Sequence, residues 1–222
     1  STLSRPLAAY VARQYARWQQ DPIGTQQRVL RELLRQGART HFGRDHDLAG
    51  AHTAQDLAAR VPVRDYEGLK PYFERVKAGE ADVLWPGRPL YLAKTSGTTS
   101  GAKYIPLTRA SIPNHINGAR DALLHYVHRT GNSKFLDGKL MFLSGSPELE
   151  TVGGIPTGRL SGIVNHHVPA YLRRNQLPSY QTNCIEDWET KLDRIVDETL
   201  TQPMTLISGI PPWVQMYFDR IV

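Results

Sequence analysis

Residues 95–103 read Thr-Ser-Gly-Thr-Thr-Ser-Gly-Ala-Lys, which is five hydroxyl side chains, two glycines and one lysine in a single run. That composition suits the holding of an anion. Gly97 and Gly101 allow positive φ and a close approach of the backbone to a ligand. Successive main-chain N–H groups can then converge on phosphate oxygens as a nest. The hydroxyls of Thr95, Ser96, Thr98, Thr99 and Ser100 add neutral donors, and Lys103 adds a positive charge. The run is not a Walker loop, which needs four residues between its glycines and a Ser/Thr directly after the lysine. Here Tyr104 follows Lys103, and Ala102 separates Gly101 from it. An ordinary polar hairpin loop has the same composition, so residue types alone leave both readings open.

Apolar runs flank the loop, and these must position it. Leu90–Ala93 and Tyr104–Leu107 are expected to be short strands. Upstream, residues 1–80 form an expected helical segment. Leu7, Tyr10, Val11, Ala12, Tyr15 and Trp18 recur at the helical period in a first helix. Asp21-Pro22 signals the start of a second, and Thr53 and Asp65 are candidate caps for two more. The Tyr66, Tyr72 and Phe73 stripe on the last of these is expected to be core. Downstream, residues 81–222 are expected to form an α/β portion. Thr108 is a candidate cap for a long helix through Ile112, Ile116, Ala119, Leu123 and Val127, with Pro113 able to displace its start. Leu140–Leu143 and Thr205–Ser208 are strand candidates, Glu186–Thr201 an amphipathic helix, and Pro211-Pro212 the start of another. Gly153–Gly158 is expected to be a loop, with a mobile segment over the site as one role. Helices alternating with apolar strands predict an α/β fold: a helical N-terminal segment, then a mixed, largely parallel sheet with flanking helices.

The chain has 222 residues, 40% hydrophobic and 22% charged, enough to bury a core. Its net charge of +6 is scattered, with Arg173-Arg174 the densest pair. No nucleic-acid motif occurs at its expected spacing, so no nucleic-acid partner is expected. No apolar run has the length of a membrane span, so no membrane partner is expected either. The N-terminus lacks the pattern of a signal peptide. The single cysteine, Cys184, excludes an internal disulfide and suits a reducing cytoplasm. In its polar Thr-Asn-Cys-Ile-Glu context it is a poor candidate nucleophile. The histidines, including His115, His125 and His128, lack the spacing of a metal site.

The nine-residue run resembles the phosphate-binding motif of the adenylate-forming enzymes, the acyl-CoA synthetase and luciferase superfamily. Val61-Pro-Val-Arg-Asp-Tyr-Glu-Gly-Leu-Lys-Pro-Tyr-Phe-Glu-Arg-Val76, Gly79-Glu80 and Val83-Leu-Trp-Pro-Gly-Arg-Pro-Leu90 narrow the likeness. They resemble the corresponding segment of the GH3 family of acyl acid amido synthetases. Ile207-Ser-Gly-Ile-Pro-Pro-Trp-Val214 is also similar to a segment of bacterial GH3-like proteins. The resemblance implies part of an adenylate-forming large domain that binds ATP with Mg²⁺. It implies a two-step ligation of a small carboxylic acid to an amine or amino acid. Thr95 to Gly101 would hold the phosphates, and Lys103 would offset charge as pyrophosphate forms. The long helix would line the acid pocket with His115, Ala119 and Leu123, and Arg120 would be a partner for the acid's carboxylate. The family's adenine- and ribose-binding motifs and its smaller mobile domain have no counterpart here. The chain is therefore expected to be an N-terminal fragment. The alternative is a nucleotide-binding module without catalysis of its own.

Overall fold

The computed structural model describes residues 4–95 and 101–222. In chain order the first helices are α1 (Ser4–Gln20), α2 (Pro22–Gly37), α3 (His41–Asp45), α4 (Ala54–Arg60) and α5 (Tyr66–Lys77). The strands β1 (Tyr91–Thr95) and β2 (Lys103–Leu107) precede α6 (Ile112–Thr130). Then come β3 (Lys139–Phe142), β4 (Glu150–Val152), β5 (Ile155–Gly158), α7 (Leu160–Asn165) and α8 (Ala170–Arg173). The chain continues through β6 (Gln176–Leu177), α9 (Tyr180–Cys184), α10 (Trp188–Thr199), β7 (Met204–Ser208) and α11 (Pro211–Ile221). This is the α/β architecture expected, with helices flanking strands of mixed sense. The described strands fall into two sheets.

The chain divides into two compact units. One holds Arg13–Pro113 and Glu150–Thr157, and the other holds Ser1–Ala12, Asn114–Leu149 and Gly158–Val222. The first, here the hairpin unit, carries a sheet of order β2-β1-β5-β4. β1 and β2 pair antiparallel, as do β4 and β5. Its core gathers Val76, Val83, Leu92 and Ile155, with Tyr72, Leu84, Tyr104 and Val152 packed around them. Burial of a side chain such as Leu92 stabilises the unit by about 2 kcal/mol. A separate apolar cluster of Leu34, Leu48 and Ala51, with Phe42 and Leu57 beside it, holds the helices together. Their starts follow the sequence. Asp21 accepts from the Gly24 N–H at 2.9 Å with Pro22 in the first turn, and Asp65 accepts from the Gly68 N–H at 2.8 Å. Thr53 and Asp56 form a reciprocal capping box.

The second, the parallel unit, carries a sheet of order β6-β3-β7 in which β3 runs parallel to both neighbours. Its core comprises Met141, Leu143, Leu192, Ile195 and Tyr217, and Trp188 stacks on Trp213 with ring centroids 4.8 Å apart.

Three expectations change. Gly153–Gly158 is not a loop: Gly153 and Gly154, both at positive φ, make the tight turn between β4 and β5, and the rest of the segment is β5 itself. The long helix starts at Ile112 rather than after Thr108, because Thr108 and Ser111 close a turn on each other's N–H groups and Pro113 fits only a first turn. In α1 only Ser4, Ala8 and Val11 are buried, while Leu7, Tyr10 and Trp18 are exposed. Periodicity reports which face of a helix is apolar, not what covers it.

Candidate nucleotide-phosphate site

The two strands around the phosphate-loop run are a hairpin. Register pairs Tyr91 with Leu107 and, at the open end, Thr95 with Lys103. Leu92 and Leu107 are buried, while at the neck Thr95 is exposed and Lys103 half-buried. Ser96, Gly97, Thr98, Thr99 and Ser100 lie outside the described residues. Gly101 is described, with φ +81, and a Cβ there would meet no atom within 4 Å. Glycine is thus required at 101 for its backbone conformation rather than for room.

α5 braces this hairpin. β2 is the edge strand of its sheet, and an edge leaves N–H groups without a neighbour. Tyr66 covers one of them: its hydroxyl accepts from the Tyr104 N–H at 3.1 Å. The Tyr66 ring lies flat against Phe73, centroids 4.7 Å apart, so the packing of α5 fixes where that hydroxyl points. Lys103 Nζ sits 5.3 Å from the Tyr66 ring centre, and Lys77 Nζ 4.9 Å from that of Tyr104. No carboxylate pairs with Lys103 among the described residues, whereas its neighbour Lys94 donates to Glu150 at 3.1 Å. An ammonium held by an aromatic face and left without an anion fits a phosphate ligand. The positioning role of Tyr66 was not legible in sequence, where its spacing signalled only core.

On α6 the sequence-derived acid-pocket residues sit on one side. His115, Ala119 and Arg120 are exposed and Leu123 is half-buried. The buried positions are Ile112, Asp121, Leu124 and Val127. The Arg120 guanidinium lies 2.7 Å from the Asp121 carboxylate, so it already has an anionic partner. Cys184 is half-buried, and burial pushes its thiol up, which suits it poorly to nucleophilic work. Among the described residues, no group of three or more His, Cys, Asp or Glu could hold a metal ion. None of their helices is long and apolar enough to cross a membrane.

The GH3 family N-terminal domain model matches residues 11–192. The chain belongs to the GH3 family. It is 28% identical over 148 residues to the jasmonoyl-L-amino acid synthetase GH3.3 of Oryza sativa subsp. japonica, covering 65% of this chain and 31% of that protein. It is 34% identical over 134 residues to the indole-3-acetic acid-amido synthetase GH3.15 of Arabidopsis thaliana, covering 59% of this chain and 22% of that protein. A solved structure of the acyl acid amido synthetase AtGH3.15 in complex with 2,4-DB superposes with a TM-score of 0.62 at 22% identity. The superposition covers 77% of this chain and 30% of that one, and shows a shared GH3 fold. This GH3 chain therefore spans under a third of the length of these relatives.

Proposed function

We propose that this GH3 chain carries the nucleotide-phosphate site of an ATP-dependent ligase joining a small carboxylic acid to an amine or amino acid. The observation that carries the proposal is the β1–β2 neck. It sets Thr95 opposite an ammonium that has no carboxylate partner among the described residues, at the two ends of a Ser-Gly-Thr-Thr-Ser run. The names of the relatives, all amido synthetases or amino acid synthetases, support the same reaction class.

In the first step the acid's carboxylate oxygen attacks the α-phosphorus of ATP, and the bond to the β-phosphate oxygen breaks. An acyl-adenylate forms and pyrophosphate leaves. In the second the amine nitrogen attacks the activated carbonyl, loses a proton, and AMP leaves with the bonding pair. Free carboxylate is a poor electrophile, and adenylation turns its oxygen into a good leaving group. The chain's own part is positioning and charge stabilisation. The Thr95 hydroxyl and the loop N–H groups hold phosphate oxygens, and Lys103 offsets the charge that collects on the departing pyrophosphate. Mg²⁺ enters as the counter-ion of the nucleotide. The outward side of α6 offers His115, Ala119 and Leu123 to the acid, and Arg120 would exchange its contact with Asp121 for the acid's carboxylate. ATP as substrate and a single, unpaired Cys184 support a cytoplasmic setting.

Acid-dependent exchange of labelled pyrophosphate into ATP tests the proposal, with a panel of aromatic and fatty acids. Exchange that Lys103→Ala and the pair Ser96→Ala, Thr98→Ala abolish is the expected result. Saturable ATP binding without exchange for any acid would favour a nucleotide-binding module without catalysis. Absence of both would overturn the site.

A further inference from the structure

No basic residues run together near the N-terminus, yet the net charge of the chain resides there. Residues 1–44 hold eight of the 27 basic residues and two of the 21 acidic ones. Their net charge is therefore +6, and the other 19 residues of each sign cancel over residues 45–222. All eight are arginines, and the seven from Arg13 onward belong to the hairpin unit and are exposed. Arg35 pairs with Glu32 at 2.7 Å. Arg28 reaches the Thr25 hydroxyl at 3.0 Å, and Arg17 the Gln14 side chain at 3.5 Å. Arg13, Arg17, Arg28 and Arg31 have no carboxylate partner among the described residues.

The same stretch leaves apolar side chains in water. α2 gives Leu34, which is buried, and Leu30 beside it to the core of its own unit. Val29 and Leu33, each one residue earlier, make a second apolar ridge at i, i+4 spacing. Ile23 stands in the first turn of α2, and Trp18 in the last turn of α1, packed on Tyr15 with ring centroids 4.6 Å apart. These four, Trp18, Ile23, Val29 and Leu33, are each at least 49% exposed. Only Asp21 separates the two helices, and Arg28, Arg31 and Arg35 occupy the rest of the α2 circumference. An apolar ridge, a tryptophan at one end and arginines around them make up a helix that lies in a membrane interface. There the guanidiniums snorkel to the headgroups, and no membrane-spanning length is needed.

Charge decides between the occupants this face could take. A second copy would set arginine against arginine. An apolar protein surface would cover the ridge and leave four arginines without anions. A nucleic acid would match the charge and offer the exposed Ile23, Val29 and Leu33 nothing apolar. An anionic bilayer answers both features. We propose that α2 and the C-terminal turns of α1 dock on an anionic lipid surface. Trp18, Ile23, Val29 and Leu33 enter the headgroup region, and the unpaired arginines meet lipid phosphates. The cytoplasmic leaflet carries such lipids, so docking fits a cytoplasmic setting. The proposal goes beyond the adenylation reaction and does not rest on it, because no residue of the 95–103 run takes part.

Sedimentation of the 222-residue chain with lipid vesicles tests it. The vesicles are phosphatidylcholine alone, or phosphatidylcholine and phosphatidylglycerol in equal parts. Binding to the mixed vesicles is expected to be at least about tenfold tighter, and to weaken several-fold between about 0.1 and 1 M salt. Tryptophan emission should shift to the blue on binding, and Trp18→Phe should remove most of that shift. Val29→Ser with Leu33→Ser, at positions already exposed, should cost about tenfold in vesicle binding. Arg28→Gln with Arg31→Gln should remove most of the preference for anionic lipid, with circular dichroism checking that both variants fold. The comparison of the two vesicle compositions stands on the unmodified chain even if a variant does not fold. No binding to the mixed vesicles, or equal binding to both compositions, would overturn the proposal. So would binding indifferent to the Val29 and Leu33 changes, or tighter binding to mixed-sequence DNA than to vesicles, which would assign the arginines to a nucleic acid. None of these results bears on pyrophosphate exchange, so either proposal can fail alone.

Discussion

At the scale of single residues, two side chains show how placement rather than type sets a role. Tyr66 looks like a core aromatic, yet its hydroxyl closes a hydrogen bond on the exposed edge of β2. Tyr66→Phe keeps the ring under Lys103 and the stack on Phe73, and removes only that acceptor. A loss of about 1 kcal/mol in urea unfolding is expected, with a several-fold fall in ATP affinity as the neck loosens. Unchanged affinity would detach α5 from the phosphate site. Glu198 is the second case. Burial alone would raise its carboxyl, but hydrogen bonds from Thr182 Oγ1 at 2.5 Å, Ser179 Oγ at 2.7 Å and the Ser179 N–H at 2.6 Å outweigh it. Its pKa is therefore lowered on folding, and the unfolded chain binds the extra proton. The stability this gives is present above the unfolded carboxylate value, about 4.5, and is lost as pH falls through the lower folded value. The stability gap between wild type and Glu198→Gln should be widest near neutrality and shrink in acid. A gap independent of pH would assign Glu198 to packing alone.

At the scale of elements, glycines separate positions that need close approach from those that do not. A Cβ on Gly43 in α3 would stand 2.0 Å from the Gly37 carbonyl oxygen, which is backbone and cannot swing aside. Gly43→Ala should cost about 3 kcal/mol or more, by urea unfolding. Gly118 lies inside α6, where a Cβ meets nothing within 4 Å. There alanine lowers the backbone entropy lost on folding, and Gly118→Ala should gain about 0.5–1 kcal/mol. A loss at 118 would show that the exposed side of α6 has a partner in solution. The strands obey a similar rule of local cause. Two adjacent positive-φ glycines set the β4–β5 turn.

At the scale of the whole molecule, a net charge of +6 without a basic block predicts attraction for small anions rather than for nucleic acid. ATP binding should weaken several-fold between about 0.1 and 1 M salt, as the screening length falls from about 10 to 3 Å. Binding to mixed-sequence DNA should be absent at physiological salt. Steeply salt-dependent DNA binding, measured by fluorescence anisotropy, would instead point to a nucleic-acid partner.

The sequence by itself determined the α/β class, the helix starts at Asp21, Thr53 and Asp65, the flanking strands of the 95–103 run and the GH3 family. Each depends on local chemistry: a cap, a period, a glycine pattern, a motif read within one stretch. Tertiary structure alone decided that Tyr66 braces β2, that Leu124 rather than Leu123 is buried on α6, and that the buried Lys191 reaches the Asn183 and Ser144 carbonyls. Those facts join residues distant along the chain, or depend on which face of a helix is covered. Spacing within a segment carries information about neither, because the partners that settle them are supplied only when the chain folds.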